Sequence, residues 1–201
     1  MTQQALGIAF DPPTLTLVQL TGTAKAFRVT FIHQLTLPHP TDPAEQMIQQ
    51  RHAVQELVQT HHLRADTIVT TMPAQQAVLR TLEMPFQDSR RLRAILNYAL
   101  EDHMPFAPED VVVDFQRLAL PTTSAARLLV AAMPHQEIAD HLSLLQAGGL
   151  DPAMVDLDVF ALANAALVSC NLQDTNTVLV DVQAARTLPH PAAQGHPCVC
   201  A

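Results

Sequence analysis

Segments with the period of a β-strand alternate along this sequence with segments that have the period of an α-helix. The order predicted from the sequence is βββα, one further strand, a βαββα block and a final βαβ. Helices that alternate with strands in this way are typical of α/β proteins, because each helix covers a face of the sheet. The sequence therefore predicts an α/β protein with a mixed sheet.

The βαββα block contains the stretch around which the rest is organised, at residues 82–116. Four of its apolar residues have the spacing of one helical face: Leu92, Ile95, Leu96 and Ala99. Ser89 is the predicted N-cap, and Pro105 and Pro108 are predicted to end the helix and fix its exit. Apolar residues then alternate as they do in a strand.

The flanking segments carry their own boundary signals. Three strands are predicted near the N-terminus, followed by a helix that Thr41 or Asp42 caps and that ends near His61. A later helix is predicted to end at Gly148-Gly149. The last predicted strand runs from Thr177 to Val182, and the sequence beyond it has no period and is expected to be irregular.

Composition excludes several classes of function. The formal net charge is −8, with 11 lysines and arginines in 201 residues, which argues against a nucleic-acid surface and against electrostatic binding to anionic lipid. We find no apolar run long enough for a membrane helix and no secretory signal at the N-terminus. Three cysteines give no disulfide framework. A cytoplasmic protein without direct membrane insertion is expected.

No pattern of catalytic or metal-binding residues is found. The histidines and cysteines lack the paired spacing of a metal site; the candidates are His33, His39, His61, His62, His190, His196, Cys198 and Cys200. Asp156 and Asp158 are expected to cap a helix or face solvent rather than act as an acid–base pair. A nucleophile elbow, a P-loop and a Rossmann glycine run are also lacking. We predict no catalytic residue and no metal site.

An ordered series of segments resembles a known family. The series is LVQL, TMPAQQAVLRTLEMP, HMPFAPEDVVVDFQRL, LLVAAMPHQEIADHLSLLQAGGLDPAMVDLDVFALANA and TVLVDV. It resembles the PilM-type assembly proteins of type IV pili and, more distantly, the cytoplasmic half of the GspL-type secretion proteins. The resemblance implies an actin-like (ribonuclease-H-like) fold with a small inserted α/β subdomain.

The same resemblance implies domain boundaries. Residues 1–78 and 134–174 would form the first actin-like subdomain, and residues 79–133 would form the inserted subdomain. Residues 175–201 would hold the start of a second subdomain and an irregular tail. The strand Thr177–Val182 is expected to have no following strand with which to form a hairpin, so we expect self-association through its uncovered edge.

The actin-like fold implies ATP bound by two phosphate loops, and this sequence departs from both. The family's first loop reads about GIDIGSSSVKLVEL, whereas this chain reads GIAFDPPTLTLVQL from Gly7 to Leu20. An acidic residue is replaced by Ala9, a glycine by Asp11, and two serines by prolines that lack N–H donors. The degenerate positions are Asp11, Thr14, Asp181 and Gln183. We expect no cofactor, although an intact site would take ATP and magnesium.

The resemblance also implies a partner. In the family, a short cytoplasmic N-terminal peptide of an inner-membrane pilus protein docks between the first subdomain and the insert. Met104, Pro105 and Phe106 are the candidate partner-binding residues. They have two interpretations, a packed helix end or an exposed apolar ledge. The implied protein is a cytoplasmic adaptor held at the inner-membrane face through its partner.

Three alternatives stay open at this point. The chain could be an active actin-like ATPase of the pilus machine, or the cytoplasmic domain of a GspL-like type II secretion protein. It could also be a truncated or frameshifted product, because its last residues have no period. Nucleotide titration and the neighbouring reading frames would separate these alternatives.

Overall fold

The computed structural model describes residues 3–11, 13–23, 26–100, 106–118, 125–170, 177–182 and 187–192. Its helices are α1 (Pro43–His61), α2 (Ser89–Leu100), α3 (His135–Ala147) and α4 (Asp158–Cys170). Its strands are β1 (Gln3–Asp11), β2 (Thr14–Thr23), β3 (Ala26–Thr36), β4 (Thr67–Met72), β5 (Val78–Met84), β6 (Val111–Leu118), β7 (Ala126–Pro134), β8 (Met154–Leu157), β9 (Thr177–Val182) and β10 (Thr187–Ala192).

The chain divides into two compact units. Residues within 1–73 and 140–197 belong to the first unit, and those within 74–139 belong to the second. The βαββα block predicted from the sequence corresponds to β5, α2, β6, β7 and α3.

The first unit contains a five-stranded mixed sheet with the order β3-β2-β1-β4-β8. The meander β1-β2-β3 is antiparallel, whereas β4 runs parallel to β1 and β8 runs parallel to β4. Leu6 and Ile8 of β1 alternate with exposed or half-buried residues, as expected for a strand with one buried face. We call the face on which Leu6 and Ile8 lie the core face.

Helices α1 and α3 cover the core face. Val54 and Leu57 of α1 and Leu144 and Leu145 of α3 join the strand residues in one buried cluster. Asp42 caps α1 as predicted, since its Oδ1 accepts a hydrogen bond from the backbone N–H of Ala44 at 3.1 Å.

A glycine pair ends α3, as the sequence predicts. Gly149 has φ 78°, a left-handed conformation that favours glycine, and the N–H of Leu150 reaches back to the carbonyl of Leu145 at 3.1 Å. The chain then enters β8 on the neighbouring edge of the sheet.

The second unit contains a three-stranded antiparallel sheet with the order β5-β7-β6, on which α2 packs. The buried residues of α2 are Leu92, Leu96 and Leu100. Ile95, predicted on this face, is 36% exposed and lies at its margin. The predicted N-cap Ser89 is also wrong, because the Asp88 carboxylate accepts from the N–H of Arg91 at 2.8 Å. An acidic cap suits the positive helix end better than serine beside two arginines.

The expectation of an irregular sequence after Val182 is wrong in part. Strand β10 pairs antiparallel with β9, Thr187 opposite Val182 and Ala192 opposite Thr177. The strand predicted to lack a hairpin partner therefore has one. The sequence did not predict β10 because it contains Pro189 and Pro191, and proline is depleted in strands. A strand of a two-stranded ribbon can nevertheless contain alternate prolines, if these lie on its outer edge.

Candidate functional site

The carboxyl ends of the parallel strands β1, β4 and β8 lie at one edge of the first unit's sheet. Ala9 is paired with Thr71, and Thr71 with Asp156, so these residues form a row across three strands near that edge. Ligands of open α/β sheets bind outside the carboxyl ends of the strands. The nucleotide site implied by the resemblance would lie here.

This row retains one carboxylate. Ala9 offers only a methyl group where the resemblance implies an acidic residue. The Thr71 hydroxyl is buried and has no hydrogen-bond partner within the described ranges. Asp156 accepts a hydrogen bond from the backbone N–H of Leu157 at 2.7 Å. A magnesium ion would find one carboxylate here and would depend on nucleotide phosphates for further oxygen ligands.

The turn between β1 and β2 is the candidate first phosphate loop. Asp11 and Thr14 are opposite each other where the turn closes. The carbonyl of Pro13 accepts a hydrogen bond from the N–H of the buried Leu37 at 2.7 Å. Pro13 has no N–H to donate, and Asp11 brings a negative charge to the turn. The residues of this turn therefore do not fit a phosphate group.

The candidate second loop follows β9. Asp181 is half-buried in β9, where it is opposite Leu188 of β10. Gln183 and Pro12, the other departures from the family pattern, lie outside the described residues. The structure thus places Asp11, Thr14 and Asp181 at strand ends or within a strand.

The start of α4 carries a second carboxylate near the same edge. Asp158 is the first residue of α4, and its Oδ1 accepts a hydrogen bond from the N–H of Val159 at 2.8 Å. A carboxylate at this position compensates the unpaired N–H groups and the positive end of the helix. This is the capping role predicted for Asp158 from the sequence.

A buried histidine was missed by sequence reasoning. His141 of α3 is 4% exposed, and its Nε2 lies 2.7 Å from the Thr70 hydroxyl. That hydroxyl donates to the carbonyl of Ile8 at 3.2 Å, so Nε2 is the donor to Thr70. The other ring nitrogen, Nδ1, has no hydrogen-bond partner in the part of the chain that the structure describes.

Burial lowers the pKa of His141 from 6.5 to about 4. The neighbouring Phe10 ring, 5.1 Å away between centroids, offers no counter-charge. The imidazole is therefore neutral at physiological pH and links α3 to β1 and β4 through Thr70. Its spacing with Leu144 and Leu145 on the buried side of α3 is the signal that could have revealed it.

The predicted partner-binding segment is only partly described. Met104 and Pro105 lie outside the described residues. Phe106 is 38% exposed and precedes a 3₁₀ turn at Pro108–Asp110, which the N–H of Asp110 closes onto the carbonyl of Ala107 at 3.0 Å. A partly exposed phenylalanine held beside an ordered turn offers an apolar contact to a partner.

The second unit also exposes part of α2. Tyr98 is 77% exposed. Arg91 lies over the Phe86 ring at 4.4 Å, and Arg93 pairs with Asp114 at 3.1 Å. Because these arginines already have aromatic or acidic neighbours in their own unit, they form a solvated basic side of α2 rather than a buried charge site.

No group of three or more metal-binding side chains occurs within the described ranges. His33 and His61 lie close together, with 4.8 Å between ring centroids, and both contact Phe31. Among the helices in the described ranges, none is both long and apolar enough to cross a bilayer.

Comparison with known proteins identifies the family. The family model described as type IV pilus assembly protein PilM matches residues 7–189. This chain belongs to the PilM family. The match spans both units and includes the two degenerate phosphate-loop segments, so the resemblance seen in the sequence is confirmed.

Two solved structures support the same fold. A chain of the PilM-PilN type IV pilus biogenesis complex has TM-score 0.76 and 21% identity, covering 91% of this chain and 56% of that one. The cytoplasmic domain of EpsL, an inner-membrane component of the type II secretion system of Vibrio cholerae, has TM-score 0.56 and 18% identity, covering 94% and 71%. These likenesses confirm the predicted actin-like α/β fold.

The chain spans little more than half of that solved pilus protein, since 56% of the latter is covered. A comparison with curated protein sequences finds no match.

Proposed function

We propose that this protein is a cytoplasmic adaptor of a type IV pilus assembly complex. It binds a short cytoplasmic peptide of an inner-membrane partner and is held at the inner-membrane face through that partner. It does so without ATP, as a pseudo-ATPase that keeps the actin-like fold for protein–protein interaction.

The observation that carries this proposal is the family match over residues 7–189, joined to the likeness with a protein solved in a complex named PilM-PilN. A family member whose relative forms a complex with a second pilus protein is expected to have a protein partner. The structural likeness at 21% identity supports the fold, and the partner is inferred from the family.

The residues of the candidate phosphate loops favour a function that does not require ATP. Asp11 and Pro13 occupy positions at which a phosphate-binding turn needs small residues with free N–H groups. Ala9 removes one acidic group from the row that would hold magnesium. A protein that has lost these groups yet retains the sheet around them is suited to binding rather than hydrolysis.

Phe106 is the residue through which we test partner binding. A labelled peptide with the first residues of the PilN-type protein from the same organism is titrated with the purified chain, with fluorescence anisotropy as the readout. Phe106→Ala is expected to weaken binding about tenfold or more, as loss of an aromatic anchor does. Phe27→Ala, an exposed aromatic residue of the first unit, is the matched control and is expected to bind normally.

Two results would contradict the proposal. Absence of saturable binding by the wild-type chain would remove the adaptor function. Equal losses in Phe106→Ala and Phe27→Ala would show that Phe106 has no special part in the contact, even if the adaptor function holds.

A secretion-system role is the second candidate, because the EpsL cytoplasmic domain matches with TM-score 0.56. The same titration with a cytoplasmic peptide from a type II secretion protein separates the two roles. Tighter binding of the pilus peptide is expected under the first proposal, and the reverse order supports the second.

A further inference from the structure

Two histidines from distant parts of the chain lie together in the first unit. His33 is on β3 and His61 is in the last turn of α1, 28 positions further along the sequence. Their ring centroids are 4.8 Å apart, and the Phe31 ring contacts both. We call His33 and His61 the histidine pair. Because the fold brings these residues together, their spacing in the sequence does not indicate the pair.

His33 occupies a strand position at which an apolar residue is expected. Phe31, His33 and Leu35 are half-buried and alternate with exposed residues along β3. His33 is opposite the buried Leu17 of β2, so it lies on the core face. Phe31 and Leu35, on either side of it, pack against the buried cluster of that face. An imidazole adds less to apolar burial here than leucine would, so packing alone does not account for it.

His61 lies where a positive charge is favoured. The carbonyl groups at the end of a helix give that end a partial negative charge, and α1 is a helix of 19 residues. His62 ends the helix in a left-handed conformation with φ 49°, and its N–H bonds to the carbonyl of Gln59 at 3.4 Å. The helix end is therefore fixed close to β3, and a cation bound to His61 would be stabilised by it.

The distance between the two rings suits a shared metal ion. A zinc ion lies about 2 Å from an imidazole nitrogen, and therefore about 3 Å from the ring centroid. Two such rings with centroids 4.8 Å apart correspond to an angle of about 100° at the ion. That angle lies between the values of octahedral and tetrahedral coordination. The rings are tilted by 47° rather than stacked face to face.

The nitrogens of the pair are available for coordination. Within the described ranges the contacts of both imidazoles are with aromatic rings. His61 is exposed, so water molecules can reach the pair and fill further coordination positions. The nearby Gln19 side chain donates a hydrogen bond to the carbonyl of Arg64 at 2.7 Å and joins β2 to the segment after α1. This bond holds the elements that carry the pair in place.

We propose that His33 and His61 bind one divalent transition-metal ion of the class that prefers imidazole ligands, such as Zn²⁺, Ni²⁺ or Cu²⁺. Water completes the coordination of the ion. The ion joins β3, the first strand in the order of the sheet, to the end of α1 and so stabilises the folded first unit. This site is separate from the degenerate nucleotide site and from the pilus peptide, and the sequence alone did not predict it.

The test is thermal unfolding of the full chain with and without Ni²⁺ at neutral pH. An ion held by two residues from different elements binds only the folded chain and must raise the melting temperature. Ions bound by residues that are neighbours in the sequence bind the unfolded chain as well, so their effect on the melting temperature is smaller. At about ten times the dissociation constant, Ni²⁺ is expected to raise the melting temperature by roughly 3–6 °C, and EDTA should reverse the rise.

His33→Phe and His61→Phe separate metal binding from ring packing. Phenylalanine retains a ring beside Phe31 but has no nitrogen to coordinate an ion. Each variant is expected to unfold near the wild-type temperature without metal and to lose the rise with Ni²⁺. Because His61 is exposed, His61→Phe should fold even if His33→Phe does not.

Two further histidines provide matched controls. His52 is exposed on α1, and His52→Phe makes the same substitution away from the pair. His62→Asn removes the histidine adjacent to His61, and asparagine tolerates the left-handed conformation at this position. Both variants are expected to keep the full rise with Ni²⁺. Mg²⁺, which prefers oxygen ligands, is expected to give no rise in the wild-type chain.

Three results would overturn the proposal. The first is a wild-type melting temperature that Ni²⁺, Zn²⁺ and Cu²⁺ all leave unchanged. The second is a rise that persists in both His33→Phe and His61→Phe, which would place the ion elsewhere. The third is a rise that His61→Phe and His62→Asn abolish but His33→Phe does not, which would assign the ion to the end of α1 alone. Binding of the pilus peptide is measured separately and does not depend on any of these outcomes.

Discussion

His141 is the residue whose position in the fold is least expected from its chemistry. It lies in an apolar core with one hydrogen bond, to Thr70, and its Nδ1 has no partner among the described residues. Protonation would place a positive charge at Nδ1 beside the Phe10 ring. The fold therefore selects the neutral imidazole, with consequences for stability as well as for packing.

The lowered pKa of His141 predicts that the stability of the folded protein depends on pH. The folded-state pKa is about 4 and the ordinary value is 6.5, so between these values the unfolded chain binds more protons than the folded chain. Stability is then complete above about pH 6.5 and falls as the pH decreases towards 4. A shift of this size corresponds to about 3 kcal/mol. Chemical denaturation of wild type and His141→Leu at several pH values checks this, and parallel pH profiles would contradict it.

At the scale of elements, sequence periodicity predicted most of the fold, because buried strands and helices leave a strong pattern. It located α1 with its Asp42 cap and α3 with its glycine end. It failed for the N-cap of α2, because Asp88 and Ser89 are adjacent and both residue types favour that position. It also failed for β10, because proline usually excludes a central strand, whereas a two-stranded ribbon accepts it.

Helix α2 offers a test of the buried face that the structure corrects. Leu96 is 2% exposed and Ile95 is 36% exposed, although both were predicted on one face. Leu96→Ala should lower the free energy of unfolding by about 2–5 kcal/mol, because it leaves a cavity among Leu92, Leu100 and Leu128 in the same cluster. Ile95→Ala should cost about 1 kcal/mol or less. Equal losses in urea denaturation would show that the helix is rotated from the position described.

At the scale of the whole molecule, the candidate site was less predictable than the fold. The sequence located the degenerate loops only through the family resemblance, since a loop that has lost its glycines has no signature of its own. The sheet register then brought Ala9, Thr71 and Asp156 into one row, a relation that depends on strands distant in sequence.

Nucleotide is expected to leave the stability of the molecule unchanged. The turn between β1 and β2 disfavours phosphate, because Asp11 carries a negative charge and Pro13 has no N–H to donate. Ala9 also lacks the carboxylate that would help to hold magnesium. A bound ligand at about 100 times its dissociation constant adds about 2.7 kcal/mol, which for a chain of this size raises the melting temperature by roughly 5–10 °C. Differential scanning calorimetry with magnesium and millimolar ATP should show no such rise. Magnesium without nucleotide is the control. A rise that requires both ATP and magnesium would mean that the turn binds phosphate in spite of its residues, and the ATP-independent adaptor would have to be replaced by an ATPase.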